Sequence, residues 1–559
     1  MKFKDMPYVR PDIEKLLAYI DDLNEKLKNA KSADEQYDLI KEYDDFMKDF
    51  DTTYNICSVR HTIDTRDEFY EKENNFFDNN APLVSTKGVE VSKTICNSPF
   101  RKELEKKIGK HFFELLECSL VLNDKAIPYM QKDNELTSEY NKLIANSQIE
   151  FRGKTYTLTQ MAPLLQNPDR EYRKEAFKAM NRFFEKNLET IDGIYDEMVK
   201  VRTEMAHALG YENFVDLQYK LLNRTDYNSK DVEKYREKIL KTFTPLAVKL
   251  RKIQAKRLGI EDFKYYDIAC DFKDGNSDPK GDVNFIVENA QKMYNELSSE
   301  TGEFFNFMVE NELLDLVAKP GKQSGGYCTS FDKYKSPFIF SNFNGTRGDI
   351  DVITHEAGHA FQNYMSQNMP FSAYIWPTYE ACEIHSMSME FLTWPWMKLF
   401  FGDEANKFRY SALKSAICFL PYGVTIDHFQ QYVYENPEAT PEERRKKYHE
   451  IELMYQPDLD YDDDFLNKGT FWFKQGHVFS TPFYYIDYTL AQACAFQYLI
   501  KYLDNKEMTL DEYFTLCKAG GSKSFFNLLD VGNLKNPMTT SVLEEMVPKL
   551  EKIINSIEI

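Results

Sequence analysis

Apolar residues recur at helical spacing along most of this chain. In the segments 13–27 and 232–253, apolar side chains return every three or four residues, so that each segment carries one apolar stripe. Asp12 stands directly before the first stripe, where its side chain can cap a helix. Because such stripes are buried when helices pack against one another, the pattern predicts a mainly α-helical protein.

Two stretches favour β structure instead. Residues 148–158 alternate in polarity on either side of Arg152-Gly153, which predicts a hairpin turning at that pair. The region 263–345 is the second candidate, because it contains the aromatic run 263–272, the glycine-rich run 321–327 and the apolar run 338–343. We therefore expect a small β-sheet within an otherwise helical fold.

Composition and charge narrow the class of protein. The chain has 559 residues, of which 42% are hydrophobic and 29% charged, as is typical of globular proteins. It has 70 basic and 90 acidic residues, and its formal net charge is −20. Such a charge argues against a general nucleic-acid binder and against adsorption to anionic membranes, since both need a basic face.

The lack of a recognisable targeting signal and the pattern of cysteines predict a cytoplasmic protein. The first residues contain no apolar segment typical of a signal peptide, and no run of 18 apolar residues predicts a membrane span. The nine cysteines are odd in number and form no CxxC pair, which favours reduced thiols.

The chain is long enough for several domains, and we place a boundary near residue 195, between an N-terminal helical half (1–195) and a catalytic half (196–559).

The sequence His355-Glu356-Ala357-Gly358-His359 is an HExxH motif. Two histidines four residues apart on a helix project from the same face and can supply two nitrogens to one zinc ion. Glu356 lies beside the first histidine, where it can accept a proton from a zinc-bound water. Apolar residues at helical spacing surround the motif, and Asp349 is a candidate N-cap for its helix.

A catalytic zinc needs a third protein ligand, and the motif does not contain one. The next candidates lie in the segment 378–390, where Glu380 and Glu383 share a helical face with Glu390. A carboxylate from this second helix would complete a site of two histidines and one glutamate. Spacing alone does not choose between Glu380 and Glu383.

Longer stretches around these motifs resemble a known family. HEAGHAFQ and the following PTYEACEIHSMSMEF are similar to the zinc metallopeptidases of the thimet oligopeptidase and oligoendopeptidase F family, especially its bacterial oligoendopeptidase F and Pz-peptidase branch. The segments GKQSGGYC and QGHVFSTPFYYIDYTLAQ (475–492), the run 148–177 and the N-terminus also resemble this branch. The resemblance covers essentially the whole chain.

The resemblance implies a fold and an activity. The expected fold is a mainly α-helical ellipsoid of two halves around a deep channel, with zinc on the channel floor. The expected activity is hydrolysis of internal bonds in short peptides, because the narrow channel excludes folded proteins. The implied zinc ligands are His355, His359 and Glu383, with Glu356 as the general base.

The resemblance also implies donors that stabilise the oxyanion of the reaction. These are His477 and tyrosines of the 475–492 segment, for which we choose Tyr484 and Tyr488, while Tyr485 is a candidate for contact with substrate. Which of the tyrosines acts on the oxyanion stays open at this point.

Supporting residues can be predicted from the chemistry of such a site. A metal-bound histidine usually donates its other ring N–H to an acceptor, and Asp351, Glu380 and Glu390 are the candidates. The glycine-rich run suggests an edge strand that pairs with an extended peptide, with Gly325, Gly326 and Tyr327 in contact with it. His385 lies two residues from Glu383 and is expected to point elsewhere on that helix.

Two other functions are compatible with parts of the sequence. A metal-bearing protein that captures peptides without cutting them would have no need of Glu356, which the chain retains. A helical scaffold with a coincidental HExxH would bind no zinc. The sequence predicts neither the oligomeric state nor the cleavage preference.

Overall fold

The computed structural model describes residues 1–539 and 541–559, and most of them lie in helices. The predicted cap at the start of the chain is confirmed, because the Asp12 side chain accepts a hydrogen bond from the Lys15 N–H at 3.2 Å. In the helix that follows, Leu16, Ile20 and Leu23 are buried, as the apolar stripe requires.

The first twelve α-helices are α1 Ile13–Asn29, α2 Ala33–Ile63, α3 Glu68–Cys96, α4 Arg101–Ile108, α5 Lys110–Ser119, α6 Ile127–Ala145, α7 Leu158–Leu165, α8 Arg170–Lys186, α9 Leu188–Ala208, α10 Phe214–Leu221, α11 Ser229–Leu258 and α12 Val283–Leu297. The helices that follow are α13 Ser299–Glu310, α14 Gly348–Ser366, α15 Tyr379–Leu392, α16 Lys398–Phe401, α17 Ala405–Glu435, α18 Pro441–Tyr455, α19 Gly476–Ser480, α20 Tyr485–Asp504, α21 Lys506–Ala519, α22 Phe525–Val531 and α23 Val542–Ser556. Short 3-10 helices lie at Phe3–Asp5, Asp124–Ala126, Tyr265–Asp267, Asp332–Tyr334, Ser372–Tyr374, Trp394–Trp396, Gly402–Glu404, Leu466–Lys468 and Phe471–Lys474.

The predicted hairpin is present. Strand β1 (Ile149–Phe151) pairs antiparallel with β2 (Lys154–Tyr156). The two turn residues, Arg152 and Gly153, have φ angles of 47° and 79°. Two consecutive left-handed residues form the type of turn that matches the twist of a two-residue hairpin.

A second sheet has three strands and lies directly before the HExxH helix. Its strands are β3 (Leu314–Val317), β4 (Tyr327–Phe331) and β5 (Ser336–Phe343), in the order β3-β5-β4. Strand β5 pairs parallel with β3 and antiparallel with β4. The expected small sheet is therefore confirmed, and β4 lies at its edge.

One part of the β prediction is wrong. The aromatic run 263–272 forms no strand and instead contains the 3-10 helix Tyr265–Asp267. The reason is tertiary, because the Asp267 carboxylate forms ion pairs with Arg170 and Arg173 of α8, at 2.8 Å each. It also accepts the N–H of Lys264, which closes a turn where a strand would have to stay extended.

Two hydrophobic cores hold the chain together. The larger core contains side chains from Met6 to Ile554 and surrounds the HExxH helix. The smaller core is built from α1–α5, together with Phe371 and Tyr374 from the connection between α14 and α15. The boundary between the two halves, placed near residue 195, falls inside α9 and stays a prediction.

Within the described residues, we find no helix with the length and apolar composition that a bilayer crossing requires.

Candidate active site

The HExxH motif lies in the middle of α14, whose apolar face is buried. Ile350, Ile353 and Ala357 are fully buried against the larger core, as predicted. The predicted N-cap is wrong, because α14 begins at Gly348 and Asp349 lies within its first turn. The Asp349 carboxylate instead accepts the N–H groups of Asn344 and Gly345, at 2.9 and 2.8 Å, and so secures the turn between β5 and α14.

Three candidate metal ligands converge between α14 and α15. One ligand atom each of His355, His359 and Glu383 lies within 4.8 Å of the other two. The Glu383 Oε2 atom is 3.2 Å from Nε2 of His355 and 3.3 Å from Nε2 of His359. The packing of the two helices thus brings Glu383, and not Glu380, to the histidines. Sequence spacing alone could not choose between these two glutamates.

Gly358 allows the two helices to approach this closely. A Cβ atom on Gly358 would lie 2.6 Å from the His385 carbonyl oxygen and 2.6 Å from the Ser386 Cα. Both of these atoms belong to the backbone of α15, which cannot move aside without moving Glu383. The glycine inside the motif is therefore a requirement of the helix crossing.

Charge favours an ionised carboxylate between the two histidines. Burial would raise the pKa of Glu383, but the charges and hydrogen bonds of His359 and His355 outweigh burial and hold that pKa well below its ordinary value. Ser386 donates a further hydrogen bond to Glu383 Oε2 at 2.8 Å. The cluster therefore presents one anionic and two imidazole donors.

Glu390 orients His355 from the opposite side of the ring. Nδ1 of His355 is 2.7 Å from Glu390 Oε1. Asp351, the alternative partner, is a wrong choice for this contact, because its carboxylate is paired with Arg347 at 2.8 Å. Arg347 lies one turn earlier on the same helix and therefore competes with the histidine for Asp351.

Glu380 belongs to a different buried cluster. Its carboxylate makes no hydrogen bond with His355 or His359, and it lies close to Arg224 and Asp487. Burial raises the pKa of Glu380 to about 7, although the charge of Arg224 opposes the shift. The prediction that Glu380 supports a metal ligand is thus wrong, because its charged neighbours are Arg224 and Asp487 and not a histidine of the cluster.

Glu356 is buried beside the metal-ligand cluster and faces the cavity described below. Its Oε2 atom has no hydrogen-bond partner among the described residues. Burial raises the pKa of Glu356, and the neighbouring charges of His355 and His359 limit that rise. A buried carboxylate with a free oxygen and a raised pKa has the properties of a proton acceptor.

The segment 475–492, which contains α19 and the start of α20, brings His477, Tyr484 and Tyr488 to the same place, and we refer to it as the C-terminal loop. The Tyr484 hydroxyl donates a hydrogen bond to Glu383 Oε1, and the Tyr488 hydroxyl lies 3.0 Å from Nε2 of His477. Burial, followed by the charge of Glu383, raises the pKa of both tyrosines well above the ordinary value. Both phenols therefore keep their protons at neutral pH.

Gln475, which sequence reasoning missed, orients His477. Its Nε2 atom lies 2.9 Å from Nδ1 of His477, and its Oε1 accepts a hydrogen bond from the Tyr422 hydroxyl at 3.0 Å. An amide N–H directed at Nδ1 leaves the ring proton on Nε2. Burial lowers the pKa of His477 to about 4, so the ring is neutral and donates through Nε2.

Arg224 holds the loop in a strained conformation. Phe483 has a φ angle of 65°, which is rare for an aromatic residue. Its carbonyl accepts a hydrogen bond from Arg224 at 2.6 Å, and its N–H donates to Gln430 Oε1 at 2.9 Å. These contacts set the direction in which the next residue, Tyr484, leaves the loop.

A cavity of about 1260 Å³ lies over this cluster. Gly325, Gly326 and Tyr327 line the cavity, and strand β4 begins at Tyr327, while their contact with a substrate stays a prediction. Tyr485 does not line the cavity, because its ring is buried among Phe419, Tyr422 and His477. The prediction that Tyr485 contacts substrate is therefore wrong.

Two aromatic residues of the cavity lining were not predicted from the sequence. Trp376 and Tyr379 line the cavity, and the Tyr379 ring centroid is 4.7 Å from that of Tyr484. With 36 tyrosines in the chain, no local pattern distinguishes Tyr379 from those of the core. His385 points away from the cavity toward Cys517, as expected, and burial lowers its pKa to about 3.

The cysteines play no visible part in this chemistry. All nine are free thiols, and Cys328 and Cys382 line the cavity. Burial and the charges of nearby glutamates raise the pKa of both thiols well above the ordinary value, which opposes a nucleophilic thiolate.

Known proteins are similar to this chain in both sequence and fold. Residues 3–123 match the peptidase M3 N-terminal domain, and residues 163–548 match peptidase family M3. The solved structure of Pz peptidase A with inhibitor 2 is 50% identical, with a TM-score of 0.99 over 100% of both chains. A provisionally named oligoendopeptidase F from Bacillus anthracis strain Ames is 48% identical, with a TM-score of 0.94 over 100% of this chain and 99% of the other.

A more distant relative carries a related name. Group B oligopeptidase PepB of Streptococcus agalactiae serotype III (strain NEM316) is 22% identical over 479 residues, which cover 79% of this chain and 76% of that protein. Since the family match spans most of the chain and includes every residue of the cluster, this protein belongs to peptidase family M3 and is a hydrolase of peptide bonds.

Proposed function

We propose that the protein is a zinc-dependent endopeptidase that cleaves internal bonds of short peptides, with Glu356 as the general base. One observation carries the proposal. His355, His359 and Glu383 present three ligand atoms within 4.8 Å of one another, and the free carboxylate of Glu356 lies beside them in the same cavity.

The donor set suits zinc. Two imidazole nitrogens and one carboxylate oxygen are the protein ligands of many catalytic zinc sites, which leave a fourth position open. Metal ligands usually form a further hydrogen bond that orients them, and Glu390 does this for His355 and Ser386 for Glu383. Zinc held there would act as a Lewis acid that polarises the substrate carbonyl and lowers the pKa of water.

Glu356 would move the proton. Glu356 lines the cavity, its Oε2 atom has no hydrogen-bond partner among the described residues, and its raised pKa makes the carboxylate a better base than an exposed glutamate. In the proposed reaction it takes a proton from the attacking water and delivers that proton to the leaving amine. A Cβ on Gly326 would lie 3.2 Å from Glu356 Oε1 and 3.2 Å from Val352 Cγ1, so the glycine keeps room beside the base for the substrate backbone.

Neutral donors from the C-terminal loop would stabilise the negative oxygen that develops on the carbonyl. His477 directs its Nε2 proton at the Tyr488 hydroxyl, which leaves the Tyr488 phenol proton free for the oxyanion, while the Tyr484 phenol proton is directed at Glu383 beside it. Both phenols keep their protons at neutral pH. Donors that are fixed before the reaction begins stabilise the transition state without reorganisation. The Gln475 and Arg224 contacts supply that rigidity.

The cavity suits an extended peptide. Residues 324–329 line it, and they include the start of the edge strand β4, whose backbone can pair with a peptide whatever its side chains. The names of the relatives, oligopeptidase and oligoendopeptidase F, agree with short peptides as substrates.

The experiment that tests the proposal is mass spectrometry of a pool of short peptides incubated with the protein, with and without a zinc chelator. We expect internal cuts that disappear with the chelator and return when zinc is restored. Removal of single residues from the peptide ends would contradict the endopeptidase assignment. Cuts that persist after the metal has been removed would contradict the metal-dependent mechanism.

A further inference from the structure

The cavity over the active site contains one basic side chain of the lysine or arginine type among the described residues that line it. That residue is Lys474. The carboxylates of the lining are Glu356 and Glu383, which belong to the catalytic cluster. In a protein with a net charge of −20, a lysine at this position stands out as a local attraction for anions.

The Lys474 ammonium packs on an aromatic ring and not against a carboxylate. Its ammonium lies 3.6 Å from the ring centroid of Phe471, and it forms no ion pair with a carboxylate of the described chain. The side chain is open to the cavity, yet the surrounding protein removes enough water to lower the pKa of Lys474 to about 8, a shift that the charge of Glu452 partly offsets. A cation in this state gains more from an incoming anion than an exposed lysine does.

The backbone around Lys474 is fixed close to the catalytic loop. Lys474 ends the 3-10 helix Phe471–Lys474, and Tyr140 donates a hydrogen bond to the Phe473 carbonyl at 2.8 Å. His477 follows three residues later, so the two Cα atoms are at most about 11 Å apart. That distance corresponds to about three residues of an extended peptide.

We propose that Lys474 binds a carboxylate of the peptide substrate, a few residues from the bond that is cut. The carboxylate is either the C-terminal group of a short peptide or the side chain of an Asp or Glu residue. In the first case Lys474 measures the distance from the cleaved bond to the peptide end, and in the second it selects acidic sequences. The inference rests on the proposed function, because it assigns a contact to the substrate of that site.

The test uses peptides that differ only in charge. One core sequence is made with a free C-terminus, with a C-terminal amide, and as an amide series in which Glu replaces Gln at each position in turn. For the wild-type protein we expect one carboxylate to raise kcat/KM by about 10- to 100-fold over its neutral counterpart. A loss on amidation identifies the C-terminal group, and a gain at one Glu position identifies a side chain.

Variants then assign that preference to Lys474. Lys474→Met should remove the preference while still cleaving the neutral peptides, and Lys474→Arg should retain most of it. Lys468→Met is the matched control, because Lys468 is exposed and lies outside the cavity lining, and it should keep the preference of the wild type. Equal preferences in the wild type and Lys474→Met would overturn the inference.

A binding measurement separates this inference from the proposed function. The same peptides are titrated into Glu356→Gln and into Glu356→Gln/Lys474→Met, with affinity read from the anisotropy of an N-terminal fluorophore. We expect the carboxylate preference in the first protein and its absence in the second. If the wild type cuts no peptide, the proposed function fails, while the titration still decides whether Lys474 binds a carboxylate.

Discussion

Nδ1 of His355 lies 2.7 Å from Oε1 of Glu390, although 35 residues separate them in the chain. The contact joins α14 to α15 at a second point, beyond the one that Glu383 makes. It fixes the plane of the His355 ring, and with it the direction of Nε2. Replacing Glu390 by Gln should therefore weaken zinc binding about 10- to 100-fold.

Competition with a chromophoric chelator measures this loss. Asp351→Asn serves as the comparison, because Asp351 is paired with Arg347 and not with His355. We expect a smaller change in zinc affinity for Asp351→Asn than for Glu390→Gln. The opposite ranking would show that Asp351 is the residue that supports His355.

Glu356 provides a second prediction. Glu356→Gln keeps the size of the side chain and removes its basicity, so kcat should fall by about 10²- to 10⁴-fold. Zinc content, measured by elemental mass spectrometry, should stay at the wild-type level because Glu356 is not one of the three clustered ligands. An active Glu356→Gln protein would rule out this residue as the base.

The two tyrosines of the loop should differ in a measurable way. Tyr484→Phe removes a hydrogen bond to Glu383, so both zinc affinity and kcat should fall. Tyr488→Phe leaves Glu383 untouched, and we expect kcat to fall about 10²- to 10³-fold with zinc affinity unchanged. Tyr485→Phe is the control, since it keeps the ring and removes a hydroxyl that forms no hydrogen bond with the described residues and lies outside the cavity lining, so zinc affinity and kcat should stay at the wild-type level. Identical effects of Tyr484→Phe and Tyr488→Phe would contradict separate roles.

Gly358 allows a test of the helix crossing. A methyl group at Gly358 would meet the backbone of α15 at 2.6 Å, so Gly358→Ala should destabilise the fold by about 1–3 kcal/mol and weaken zinc binding. Gly193→Ala is the control, because Gly193 lies on an exposed part of α9 with nothing within 4 Å. That change should leave stability equal or raise it by up to about 1 kcal/mol. Thermal unfolding and chelator competition measure the two effects, and normal zinc affinity in Gly358→Ala would refute the crossing argument.

Asp349 should make stability depend on pH. Burial, partly opposed by hydrogen bonds from Asn344 and Gly345, raises the pKa of Asp349 from 3.8 to about 6, so the folded protein holds this proton more tightly than the unfolded chain does. The resulting stabilisation is fully present below about pH 4 and is lost as the pH rises through about 6, up to about 3 kcal/mol. Relative to Asp349→Asn, the wild type should thus lose unfolding free energy between pH 4 and 7 in urea titrations. A constant difference between the two proteins over this range would show that the pKa is not raised.

Local patterns predicted the parts of the fold that depend on near neighbours. The cap at Asp12, the hairpin at Arg152-Gly153 and the His355–His359 pair each need only a few consecutive residues. The strand prediction for segment 263–272 was wrong because its conformation is set by Arg170 and Arg173, about 100 residues earlier in the chain. Strand β3 was missed because its four residues are too short to show alternation.

The supporting residues of the site were harder to predict for the same reason. Glu380, Glu383 and Glu390 share one helical face by spacing, and only the rotation of α15 against α14 decides which of them meets a histidine. Gln475 orients His477 and is itself held by the Tyr422 hydroxyl, which belongs to α17. Nothing next to Gln475 in the sequence therefore indicates its role. Ligand types follow from local chemistry, whereas outer contacts follow from tertiary packing.

The connection between α14 and α15 passes through the smaller hydrophobic core. Phe371 and Tyr374 are buried there among α1–α5, and the Tyr374 hydroxyl accepts the Phe112 N–H and donates to the Ile108 carbonyl. The N-terminal helices thus clamp the segment that joins the two helices of the candidate zinc site. The catalytic region is for this reason not a separable module. A protein shortened to residues 163–548 would lack the helices that bury the α14–α15 connection. Recombination between relatives therefore has to exchange both parts together.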